Sequence, residues 1–244
     1  MSVPPPSNNP FPATHWSLVI RLRSADAVVA RRAVEDIFTA YRYPLYGYLR
    51  CSQMHHEDAE DVLQGFFEKM LRTDSLGTAD SSRGKLRTFL LTSLSRFKSN
   101  WQRGEHRRHQ RVRGEADLRT EDEARWLRDQ HATQETPEHI FDRQWAFELV
   151  AQVHTRLQTE YEERGKRELH KSLSPLLGSA DSEGEAFADI AARMSMTENA
   201  LRIALTRMRK DFRQLLLQEV EQTLDEGDDA RTEIRHLLGL FERR

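Results

Sequence analysis

From Val28 to Phe241 the apolar residues return every third or fourth position, in stretches separated by charged or Gly-, Ser- and Asp-rich breaks. That spacing gathers side chains on one stripe of an α-helix, whereas a half-buried strand needs strict alternation of β-branched and aromatic residues, which is hard to find here. An all-α chain follows. Charged residues make up 31% of the sequence, yet the regular apolar rhythm separates it from a disordered chain of similar polarity. At 244 residues it is long enough for one large domain or two small ones.

The stretches can be read in order. Residues 1–24 are an arm whose first dozen residues, "MSVPPPSNNPFP", lack the burial that ordering requires. From Ala25, the residues Val28, Val29, Ala33, Ile37, Phe38 and Tyr41 share one face, and Pro44 is expected to kink that helix or start a new first turn. In "HEDAEDVLQGFFEKMLR" the apolar face is Ala59, Val62, Leu63, Phe66, Phe67, Met70 and Leu71, and the opposite face carries Asp58, Asp61, Gln64 and Glu68. Early acidic residues also suit the positive end of the helix dipole. A third helix turns Leu86, Phe89, Leu90, Leu94, Phe97 and Trp101 inward, with Arg87, Arg96, Asn100 and Arg103 outward. The rhythm lapses over a charged linker, 111–136, with a short helix around Trp126, and resumes through Ile140, Phe141, Trp145, Leu149, Val153 and Leu157. The reading is therefore a helical domain over 25–110, the linker, a second helical domain over 137–220 and a C-terminal extension over 221–244.

Charge is distributed unevenly. The formal net charge is only -2, but Arg83, Lys85, Arg87, Arg96, Lys98, Arg103, Arg107, Arg108, Arg111 and Arg113 face Glu105 as their one acidic counterweight. A single cysteine, Cys51, cannot form an internal disulfide, and the N-terminus has neither the basic start nor the apolar run of a signal peptide. No stretch approaches the ~20 consecutive apolar residues that span a bilayer. A cytoplasmic location without membrane contact is expected.

The second basic concentration lies in "FADIAARMSMTENALRIALTRMR", residues 187–209. Phe187, Ile190, Ala191 and Met194 form the inner face of one short helix, Ser195 and Met196 make a turn, and Thr197 caps the next helix with Glu198 beside it. On that next helix Leu201, Ala204, Leu205 and Met208 point inward, leaving Asn199, Arg202, Ile203, Thr206, Arg209 and Lys210 outside. Small Ala191 allows the steep, close crossing of a helix-turn-helix. In that motif the second helix enters the major groove, where Arg can bond guanine and Asn adenine in bidentate fashion. A solvated face on an ordinary helical hairpin is the bland alternative.

Three segments in one order resemble the extracytoplasmic-function sigma factors, promoter-recognition subunits of bacterial RNA polymerase. "YPLYGYLRCSQMHHEDAEDVLQGFFEKML" is similar to their core-binding segment, "GKLRTFLLTSLSRFKSNWQRGEHRR" to their −10 segment, and "FADIAARMSMTENALRIALTRMRKDFRQLL" to their −35 helix-turn-helix. "FPATHWSLV" together with "AEDVLQGFF" resembles a group found in planctomycete-like bacteria. The resemblance implies core RNA polymerase and promoter DNA as partners, and it admits an anti-sigma inhibitor. Carried over by position, Asp58, Asp61, Gln64 and Phe67 would dock on polymerase, with Phe67 also readable as core. Arg96, Asn100, Trp101, Arg103, Arg107 and Arg108 would serve the −10 DNA, although the spacing of Trp101 from Phe97 and Leu94 favours its burial over stacking on a base. Thr197, Asn199, Arg202, Ile203 and Thr206 would act at the −35 element, with Arg207, Arg209 and Lys210 on phosphates or supporting the helix. The linker acids around Glu115 to Glu123 would lie in a basic polymerase channel. Two departures touch specificity: Ser195 stands where the family's turn usually has Gly, and Arg96 where many members have Asn.

Two rivals remain. "CSQMHHEDAED" offers Cys51, His55, His56, Glu57 and Asp58 to a metal, but it lacks the spacing of a hydrolase site and a second ligand cluster, and an exposed polar loop before a helix explains it better. No phosphate-binding Gly-rich loop or nucleophile elbow occurs. No catalytic residue, metal or cofactor is therefore expected. The other rival is a helix-turn-helix regulator that does not dock on core polymerase.

Overall fold

A computed structural model describes residues 21, 24, 26–72, 85–105, 121–129, 135–178, 185–224 and 228–242. The described residues are all-helical, with no strand. In chain order the helices are α1 (Ala27–Cys51), α2 (His56–Arg72), α3 (Leu86–Glu105), α4 (Glu121–Arg128), α5 (Pro137–Glu163), α6 (Arg167–Leu173), a 3-10 turn (Ser174–Leu176), α7 (Glu185–Arg193), α8 (Glu198–Glu221) and α9 (Ala230–Glu242). The expectations for most of the N-terminal arm, for Arg107 and Arg108 and for the linker before Glu121 fall outside the described residues.

The chain divides into two compact units, one of residues 1–148 with 221–244 and the other of residues 149–220. The division falls inside α5, later than the boundary at 137 drawn from the apolar spacing, and it places the C-terminal segment with the first unit.

In the first unit α1 packs on α2, and α2 on α3. Asp26 caps α1, its carboxylate accepting from the Val28 amide at 2.8 Å. Of the two outcomes expected at Pro44, a kink or a new first turn, the second does not occur. The residue lies buried within one continuous 25-residue helix, where Ile37, Tyr41, Leu45, Tyr46 and Leu49 are fully buried and burial on both sides outweighs one missing backbone donor. Gly47 is required by a close approach. A Cβ there would stand 1.9 Å from Oε1 of Gln144, a buried amide on α5.

The short helix α4 is docked on α1 by charge. Arg42 donates to Asp122 at 2.5 Å and to Glu60 at 2.8 Å, and Arg50 donates to Glu123 at 3.0 Å and to the Tyr46 hydroxyl at 2.7 Å. Tyr43 donates to Asp129 at 2.5 Å, and the Arg125 guanidinium lies 3.8 Å from the centre of the Tyr43 ring. Burial and then the nearby Asp129 carboxylate drive the Tyr43 phenol well above its ordinary range, so it stays a donor.

Arg87 corrects the reading of α3. It is 6% exposed, not outward. It stacks 4.4 Å from the Trp145 ring centre, reaches Asp142 at 3.4 Å and bonds Glu233 on α9. Its position, three before Leu90 and seven before Leu94, is that of the buried stripe.

The second unit has one core: Val153, Leu157 and Tyr161 from α5, Leu173 and Leu176, Phe187, Ile190 and Ala191 from α7, and Leu201, Leu205, Met208 and Leu215 from α8. Met194, Met196 and Ala204 pack against it.

Candidate nucleic-acid interface

The turn between α7 and α8 is built by its backbone. Ser195 has φ 53°, the left-handed conformation that ends a helix, and the Met196 amide donates back to the Ala191 carbonyl at 2.9 Å. A left-handed residue with a Cβ costs roughly 1–2 kcal/mol relative to glycine's freedom. Ser195 is thus the non-glycine residue in the place where the resembled family usually has Gly. Thr197 then caps α8, its hydroxyl oxygen accepting from the Ala200 amide at 3.2 Å. This cap holds the first turn of α8 in place, so the Thr197 hydroxyl is committed to the backbone.

Because Leu201, Ala204, Leu205 and Met208 face the core, the 3.6-residue period sends Asn199, Arg202, Ile203, Thr206, Arg207 and Lys210 outward, and all six are exposed. Ile203 is 46% exposed, a large apolar side chain on a polar face. Arg202 lies 5.0 Å from the Phe187 ring centre and 3.8 Å from Glu198, a weak tether that leaves it exposed. The Thr206 hydroxyl donates to the Arg202 carbonyl at 2.9 Å. Arg209 differs from its neighbours: it is half-buried and donates to the Leu176 carbonyl at 3.0 Å, which joins α8 to the 3-10 turn. Of the two roles considered for it, support of the helix is the one this contact serves.

On α3, Arg96, Asn100 and Arg103 share an exposed face. Arg103 donates to the Asn100 side-chain oxygen at 2.5 Å and to the Ser99 carbonyl at 3.2 Å, which fixes both polar heads along the helix. Trp101 is half-buried. Lys98 lies 5.1 Å from the Tyr48 ring centre.

On α2, Asp61 and Gln64 are exposed, and Asp58 is half-buried. Gln64 donates to Glu68 at 2.9 Å. Phe67 is 4% exposed and packs edge-on against Phe38 at 4.7 Å and Phe66 at 5.5 Å. Its ring belongs to the core and offers no face to a partner. The linker acids Asp122 and Glu123 are already paired, to Arg42 and Arg50.

Among the described residues no group of three or more His, Cys, Asp or Glu side chains is placed to hold a metal, and no helix is long and apolar enough to cross a membrane. In the Cys51–Asp58 stretch, Cys51 donates to the Glu135 carbonyl at 3.6 Å, while His56 stands 3.0 Å from the Tyr46 hydroxyl and 3.5 Å from Glu123. Burial, then the neighbouring Glu135 carboxylate, pushes the Cys51 thiol above its ordinary range and away from thiolate chemistry.

Sequence reasoning missed the ion cluster that joins Lys85 and Arg87 to Glu233. A signal was present, since Glu233 falls between Ala230 and Leu237 on the apolar stripe of α9. Comparison of the chain with models of known protein families, with curated proteins and with solved structures finds no match.

Proposed function

We propose that the chain is a sigma-type promoter-recognition subunit that binds core RNA polymerase and reads DNA through two separate surfaces. The observation that carries this reading is the outer face of α8: a capped helix following a tight turn, with Asn199, Arg202, Ile203, Thr206, Arg207 and Lys210 exposed while the opposite face is wholly core. In a helix-turn-helix this is the face that enters the major groove. Arg202 and Asn199 supply bidentate donors for guanine and adenine, Ile203 an apolar contact for a thymine methyl, and Arg207 and Lys210 charge for phosphates. The exposed Arg96, Asn100 and Arg103 of α3 form the second surface, for the −10 element. Two weak sites on one chain gain effective concentration from their linkage, so promoter spacing contributes to selectivity as well as sequence. Polymerase docking falls to the exposed polar face of α2, with Asp61 and Gln64 at its centre and Asp58 at its edge.

Transcription in vitro with core polymerase and a randomised promoter library tests the reading, the expected result being start sites defined by two motifs at fixed spacing. Asp61→Arg should abolish capture of core polymerase while leaving the helical content unchanged. The alternative, a helix-turn-helix regulator that does not dock on polymerase, predicts selective DNA binding without start-site choice. Arg202→Ala should relax preference at one or two base positions, worth about 1–3 kcal/mol each.

A further inference from the structure

The proposed −10 helix carries, just before and within its first turn, two cations that meet one carboxylate, the half-buried Lys85 and the buried Arg87. Lys85 bonds Glu233 at 2.5 Å, and Arg87 bonds the other oxygen of the same carboxylate. Arg87 and Glu233 are each 6% exposed. Burial alone would raise the Glu233 carboxyl, but the charges of Arg87 and Lys85 together outweigh it and hold the group ionised below its usual range.

We propose that α9 is an internal latch: Glu233 fills, as a built-in carboxylate, a cationic site formed by Lys85 and Arg87, and release of α9 gives that site to a nucleic-acid phosphate. The proposal rests on the reading of α3 as a DNA-binding helix.

Three observations favour a latch over a fixed strut. First, α9 buries only Ala230, Glu233 and Leu237, with Ile234, Leu240 and Phe241 half-buried beside them, while Arg231, Thr232, Arg235, His236 and Leu238 on its other sides are exposed. Second, the helix is supported within itself: Asp229 caps it, accepting from the Arg231 and Thr232 amides at 3.2 Å each, and Arg235 donates to the Thr232 hydroxyl at 3.0 Å. Third, Arg87 has contacts that do not involve α9, with Asp142 at 3.4 Å and with the Trp145 ring. The energetics also permit exchange. In a buried ion pair much of the Coulomb attraction is offset by desolvation, so replacing one anion by another costs far less than leaving the cations unpaired. A phosphate oxygen satisfies the same fork of donors as a carboxylate.

The test uses the full chain and a fluorescein-labelled oligo-dT strand, with no polymerase and no promoter sequence. Glu233→Gln weakens the bolt itself, and Phe241→Ala weakens α9 from its far end, where Phe241 meets Phe147 edge-on at 4.7 Å. Hydrogen exchange over residues 230–242 reports whether α9 is released, and fluorescence anisotropy across a salt series reports binding. The expected result is faster exchange with tighter binding, and a log–log salt slope steeper by about 1.4, roughly 0.7 for each of two cations engaged on a single strand. Adding Lys85→Gln to Phe241→Ala should remove about half of that extra slope. The latch is refuted if neither variant frees α9, or if either frees it without tightening binding; should one variant fail to fold, the other decides. Loss of start-site selection with polymerase would overturn the sigma reading and leave this result intact, and the converse also holds.

Discussion

Arg87 in the first unit and Arg202 in the second have similar company and opposite fates. Each lies over an aromatic ring, at 4.4 Å from Trp145 and 5.0 Å from Phe187, and each has a glutamate partner, Glu233 and Glu198. Arg87 is buried, and the Arg202 side chain remains 47% exposed. An exposed pair contributes about 0–1 kcal/mol and is readily given up to a partner's anion, whereas removing one member of a buried pair costs roughly 3–5 kcal/mol. The number of arginines in a segment therefore says little about what it binds. Availability depends on whether the pair that the fold has made is buried or exposed.

The largest expected effect tests that contrast directly. Arg87→Ala leaves Glu233 buried with Lys85 as its remaining partner, and should lower the stability of the first unit by roughly 3 kcal/mol or more. Arg202→Ala should leave unfolding within about 0.5 kcal/mol of the parent. Urea denaturation of both variants measures the difference, and equal midpoints would break the comparison.

Next in size is Gly47→Ala. The added methyl falls 1.9 Å from Oε1 of Gln144, the far end of a flexible but buried side chain. Displacing it should cost about 1–3 kcal/mol, and adding Gln144→Ala to the variant should restore part of that loss by making room. A neutral Gly47→Ala would show that α1 and α5 are less tightly apposed than the geometry states. Smaller still are two changes at the α7–α8 turn: Thr197→Ala removes the cap at a cost of about 1 kcal/mol, and Ser195→Gly relieves the left-handed backbone and should raise stability by up to about 1 kcal/mol. Thermal unfolding of the pair checks both signs.

What was legible in the sequence was local. The periodicity gave the helices and the inner and outer faces of α7 and α8, because a helix face is fixed by residues three and four apart. The cap at Thr197 and the turn at Ser195 were legible for the same reason. What was not legible needed pairs distant in the chain. The buried state of Arg87 depends on Glu233, 146 positions away, and the docking of α4 depends on Arg42 and Arg50, which meet Asp122 and Glu123 across 80 and 73 positions. A charged linker and a charged tail look alike solvated or docked until the partner is known. At Pro44 the local signal left a kink and a new first turn both open, and the burial of its neighbours on both sides keeps the helix continuous.

The smallest effect separates the two units by pH. In the second unit His154 and His170 are both held below the ordinary imidazole value of 6.5, His154 by burial, His170 by burial and then by the charge that a protonated His154 would carry. The His170 Nε2 is buried without a hydrogen-bond partner, so a proton placed there would have no acceptor. With the folded values depressed, the unfolded chain binds more protons in the window below 6.5, and stability must fall as pH drops through it. Glu233 in the first unit is depressed from the ordinary carboxylate value of 4.5, so its contribution is complete above that pH and is lost only as pH falls through its lower folded value. Native-state hydrogen exchange from pH 7 to about pH 5 should therefore show protection falling in the helices of the second unit, with the Glu233 contact unaffected until pH goes below about 4.5. His170→Gln should flatten the first of these slopes and leave the second unchanged. A first unit that loosens before the second would mean that the Arg87–Glu233 contact is more open to protons than its burial implies.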